Sequence, residues 1–118
     1  IAQTRGDLAE AERLQRESLA IKREIGDRQG EAASLNNLGL IAQTRGDLAE
    51  AERLLRESLA IEREIGDQSG EANVLFNLGD IKGEDGKLDD QHIFYTEAVR
   101  IQREIGIPIY QWFIDNGY

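Results

Sequence analysis

The chain has 118 residues, 40% apolar and 31% charged, with a net charge of −9. That length allows one domain with a core, and no stretch approaches the roughly 20 apolar residues a membrane-spanning helix needs. The absence of cysteine, with a single histidine at His92, removes disulfides, thiol nucleophiles and His-pair zinc motifs.

The chain contains no methionine and opens on IAQTRGDLAEAERL, a string that recurs at 41–54. It therefore reads as an excised piece of a longer array. No targeting segment is visible, and a cytoplasmic location is expected. Residues 1–40 and 41–80 match at 32 of 40 positions, and 81–106 match 41–66 at 9 of 26. A period of 20–50 residues signals a solenoid, a propeller or an array.

The first predicted helix covers residues 7–25, and its near-copy lies between Gly46 and Gly66 as DLAEAERLLRESLAIEREI. Asp47 is placed as N-cap, with Glu50 three residues on. Leu48, Ala51, Leu55, Leu59 and Ile65 recur at three- and four-residue steps, which predicts one apolar stripe with Ser58 and Glu62 as lapses. Glu52–Arg56 and Arg53–Glu57 are spaced as i,i+4 pairs on the outer face. Between these helices lies EAASLNNLGLIAQTR (31–45), copied as EANVLFNLGDIKGED (71–85). Ala32, Leu35, Leu38, Gly39 and Ala42 again step by three and four. Glycines 40 residues apart (Gly6, Gly46 and Gly86; Gly26, Gly66 and Gly106) mark the reversals. Nothing alternates with period 2, which excludes a propeller.

The third unit departs from the pattern. Gln91 stands where Ala11 and Ala51 stand, opposite Gly79, so its helix pair is expected to be spread or shifted. KGEDGK (82–87) is poor helix material, and the first helix of this unit is expected to end early. The tail GIPIYQWFIDNGY (106–118) replaces a further unit. Pro108 at a first turn and Gly117 at a C-cap predict a short capping helix over 108–116.

At LNNLGLIAQTRGDLAEAERLLRESL (35–59) the sequence resembles the tetratricopeptide repeat. Leu35, Leu38 and Gly39 match the first-helix signature, Gly46 the turn, and Ala51, Leu55, Ser58 and Leu59 the second helix. Ala42 replaces the usual aromatic. Six residues beyond the usual period of 34 extend the second helix through 61–65. This longer form is similar to repeats of spindle-orientation adaptors, kinesin light chain and bacterial regulatory arrays. HEAT and armadillo units have a period near 40 as well, but the Gly39–Ala51 pairing favours the tetratricopeptide reading. The expected fold is all-α: a right-handed α-solenoid of antiparallel helix pairs with a C-terminal capping helix. It forms one domain over 1–118: repeat 1 over 1–40 lacking most of its first helix, a second period over 41–80, a divergent unit over 81–106 and a cap over 107–118.

The resemblance implies that first helices line a concave groove. Asn36, Asn37, Leu40, Gln43 and Thr44 then face it from one helix, and Asn73, Phe76, Asn77, Asp80 and Glu84 from the next. Asn37 and Asn77 recur at one place. In the resembled families that asparagine grips an extended peptide backbone; the alternative is bonding within the array. A carboxylate-clamping groove needs basic residues, and Ala33, Asn36, Asn73 and Phe76 supply none.

All seven aromatics lie at or after residue 76. Phe94, Tyr95, Tyr110, Trp112 and Phe113 are assigned to a cap or an interface. The charge divides as −1 over 1–40, −5 over 41–80 and −3 over 81–118, which disfavours nucleic acid and favours a basic or polar peptide. Asp89, Asp90 and His92 lack a second histidine or cysteine, so no metal, cofactor or catalytic role is assigned. The expected function is a non-catalytic scaffold that binds a peptide of a partner protein. The alternatives are a self-assembling module, end to end or by helix exchange, and the regulatory fragment of a larger protein.

Overall fold

Aspartate caps and glycine turns divide the chain where the repeat sets them. The computed structural model describes residues 5–118. Among them the helices run in order as α1 (Arg5–Ile25), α2 (Arg28–Thr44), α3 (Leu48–Ile65), α4 (Gln68–Glu84), α5 (Leu88–Ile105) and α6 (Gln111–Asp115). The remnant of a first helix expected over residues 1–5 lies outside the described residues, apart from Arg5, which already begins α1.

Gly46 and Gly66 take φ of 82° and 73°, a left-handed conformation that strains any residue with a Cβ. They reverse the chain before and after α3. Gly6 departs from this series, because α1 runs straight through it. At the helix starts, Asp27, Asp47 and Asp67 accept hydrogen bonds from Gly30 N at 2.8 Å, Glu50 N at 3.1 Å and Gly70 N at 2.9 Å, satisfying amides that a helix leaves unpaired. Lys87 occupies the place of Asp47 and makes no side-chain cap. Ile107 occupies the place of Asp67 and offers no acceptor. The helix expected over 108–116 accordingly forms only over 111–115, with Pro108 outside it.

Each helix packs against the one before and after it, from α1 to α5, as a stacked repeat requires. Leu35, Leu55, Leu75, Leu78, Ile81 and Val99 fill the core between them, all under 2% exposed. Ser58, read as a lapse in the apolar stripe of α3, is buried and donates to Ala32 O at 2.8 Å, tying α3 to α2. The outer pairs form as spaced, at 2.8 Å for Arg56–Glu52 and 2.9 Å for Arg53–Glu57.

Small residues set how closely a pair approaches. A Cβ on Gly39 would lie 2.9 Å from Leu55 Cδ2 and 3.3 Å from Ala51 O, so α2 and α3 meet at glycine. In the next pair Gly79 lies under the Tyr95 ring, where a Cβ would come within 2.5 Å. The spreading expected from Gln91 does not occur, and α4 and α5 pack as extensively as α2 and α3. Gln91 lies over Gly83, leaving no space for a Cβ there. Gln43 and Ala51 stand at the equivalent positions one unit earlier. α4 does not end early either, and reaches Glu84 as α2 reaches Thr44. Lys82 is 7% exposed and pairs with Glu52 of α3 at 2.9 Å. Tertiary contacts at Lys82 and Gly83 therefore override the weak helix propensity of this segment. No helix among the described residues is long and apolar enough to cross a membrane.

Candidate functional site

The first helices α2 and α4 lie side by side, and their groove residues bond to each other across the seam. Asn77 Nδ2 donates to Asn36 Oδ1 at 3.0 Å, and Gln43 Nε2 donates to Glu84 Oε1 at 2.5 Å. Asn37 is exposed and reaches Gln15 Oε1 of α1 at 3.4 Å. Thr44 turns its hydroxyl back to Leu40 O at 3.0 Å. The bonding of Asn77 within the array, weighed as an alternative from the sequence, is thus present for one of its amide hydrogens.

Two clefts flank α4, and Asn73 lines both. The smaller, about 190 Å³, lies among α2, α3 and the start of α4, and includes Asn36, Asn37, Ser58, Glu62, Asp67 and Gly70. Sequence reasoning left Glu62 as a lapse in a stripe, yet it is 5% exposed. Burial, then the charge and hydrogen bond of Asp67, push its pKa up to about 7. Gly70 makes room for it, because a Cβ there would collide with the Glu62 carboxyl. The same position one unit earlier is Lys22, which pairs with Asp27 at 3.6 Å. One unit later it is Gln102. The interruption of apolar periodicity at Glu62 was the available signal.

The larger cleft, about 710 Å³, lies between α4, α5 and the tail. Phe76 and Asp80 were expected in a groove, and Tyr95, Tyr110, Trp112 and Phe113 in a cap; here they share one cavity. The Phe113 ring sits 4.8 Å from Phe76 and 5.0 Å from Tyr95. Tyr95 is buried, and its hydroxyl donates to Asp80 Oδ1. Loss of solvent raises the Asp80 pKa, opposed by the Tyr95 hydroxyl and reinforced by Glu84. Burial and then Asp80 raise that of Tyr95. Tyr110 and Trp112 are largely exposed, at 78% and 55%. Phe94 lies elsewhere, half-buried under the Arg56 guanidinium, which is 5.5 Å from its ring centre. Gln102 and Gln111 also line the cleft, and neither stood out in the sequence.

His92 Nδ1 lies 2.9 Å from the Tyr118 hydroxyl. Among the described residues no group of three or more acidic, histidine or cysteine side chains is placed to hold a metal ion. A family described as Tetratricopeptide repeat matches residues 1–64 and, in an overlapping match, 32–104. No curated protein matches the chain.

Proposed function

The chain belongs to the tetratricopeptide repeat family, whose repeats mediate protein–protein interaction on a typically non-catalytic scaffold, and from that membership we propose that it binds a peptide segment of a partner protein. Residues 1–118 act as one domain. The supporting observation is the polar strip formed by Asn36, Asn37, Asn73 and Asn77 on α2 and α4, with an open cleft on either side of it. Asparagine both donates and accepts, so it can hold a peptide backbone whatever the side chains. Asn37 is exposed, and Asn77 uses one amide hydrogen on Asn36 and keeps its remaining groups at the rim of the larger cleft.

Binding to a peptide array tests this reading. Asn37→Ala/Asn77→Ala is expected to weaken bound peptides by roughly tenfold, the loss of one or two backbone hydrogen bonds. Equal binding by the wild type and the double variant would overturn it.

A second reading, head-to-tail self-association, draws on α1. Leu14 and Ile21 are 50% and 54% exposed, whereas their equivalents Leu54 and Ile61 are 3% and 5%. A further helix of the same kind as α2 would cover that face, and a second copy could bring one through its tail. Such contacts are heterologous and build rings or open filaments. Sedimentation of concentrated protein should then show species larger than a monomer, lost in Leu14→Glu/Ile21→Glu. A monomer throughout would remove this reading.

A further inference from the structure

The larger cleft combines aromatic faces with hydrogen-bond acceptors. Trp112 stands edge-on to Tyr95 and Phe113, at 6.2 and 4.9 Å between ring centres. Asp80 presents a carboxylate, of which Tyr95 occupies Oδ1. Gln102 keeps its side-chain Oε1 buried with no hydrogen-bond partner. No lysine or arginine lines the cavity. Aromatic faces carry negative charge density, and carboxylate and amide oxygens accept hydrogen bonds. All of these groups attract a cation that bears N–H donors.

The protein already makes this kind of contact once, with Arg56 over Phe94 on another face of α5. Arginine suits the cleft better than lysine: its guanidinium is planar, stacks on rings and presents several donors in a fixed fork. The net charge of −9 draws such a group in.

Building on the peptide-binding reading, we propose that this cleft receives an arginine side chain of the bound segment. The guanidinium stacks among Phe76, Trp112 and Phe113 and donates to Asp80. This assigns the specificity of the interaction to the divergent end of the chain and leaves the asparagine strip to hold the backbone.

Trp112 is the single tryptophan, so its fluorescence reports on the cleft directly. The probes are N-acetyl-arginine amide and its neutral isostere N-acetyl-citrulline amide, titrated into the whole chain. A saturable change at millimolar arginine amide is expected, with citrulline amide about tenfold weaker and Asp80→Asn reducing arginine binding by a similar factor. No saturable change, or equal binding of the two probes, would overturn the proposal, and that comparison needs no variant to fold. Undiminished arginine binding by a helical Asp80→Asn protein would also overturn it. Array peptides that bind without any arginine dependence sink this inference alone. Binding of arginine amide with no peptide bound anywhere on the array would uphold the cleft and sink the peptide reading.

Discussion

Leu75→Ala is expected to remove about 3 kcal/mol of unfolding free energy, within the range measured for buried leucine truncations. Leu75 is fully buried in α4. In a stacked repeat each element contacts only its neighbours, so stability is a chain of local joints. α4 packs chiefly on α3 and α5 and also touches α2, and the cavity left by the truncation weakens its packing. Urea denaturation followed by circular dichroism should show the midpoint falling, with a melting temperature lowered by roughly 10 °C. Leu14→Ala is the control. Leu14 is 50% exposed, and its truncation should have an effect of about 1 kcal/mol or less. Equal effects from the two would contradict the assignment of the core.

Glu62→Gln is expected to stabilise the protein above neutral pH. The folded-state pKa of Glu62 is about 7, against 4.5 for an unperturbed glutamate. Because the native state holds this proton more tightly than the unfolded chain, the contribution of Glu62 to stability is greatest below about pH 4.5. It falls as pH rises through 7. A shift of this size corresponds to roughly 3 kcal/mol. The glutamine variant has no proton to lose, so its advantage over the wild type should grow between pH 4.5 and 7 and then level off. Denaturation of both proteins from pH 4 to 8 measures the difference, which cancels groups that titrate elsewhere. A parallel course for Glu62→Gln would show that its carboxyl is not held by the fold.

The helical architecture was legible because it rests on spacing. Apolar residues at three- and four-residue steps, aspartate caps and glycine 40 residues apart locate α2 to α5 without reference to any contact. What the sequence did not reveal depended on which residue meets which across a helix pair. Gln91 read alone is too large for its place, and only the pairing with Gly83 explains why it fits. α6 is shorter than Pro108 and Gly117 imply for a related reason, since Ile107 offers no acceptor to cap a helix that starts at Pro108. At the site, the sequence singles out residues one at a time. Their mutual bonds, such as Asn36 with Asn77 and Asp80 with Tyr95, arise between positions 41 and 15 residues apart, which a period cannot relate. Gln102 gave no signal because an isolated polar residue late in a helix resembles any solvated one.

The seating of Gln91 over Gly83 bears on how similar units are told apart. Adjacent near-identical units invite mistakes during folding, when a helix can dock on the wrong copy of its partner. Here α1 and α3 are almost the same sequence, as are large parts of α2 and α4. α5 is different, because its glutamine finds space only over the glycine of α4. On α2 the place of Gly83 is held by Gln43, a residue with a side chain of its own. Units that differ at such a contact are harder to confuse than identical ones.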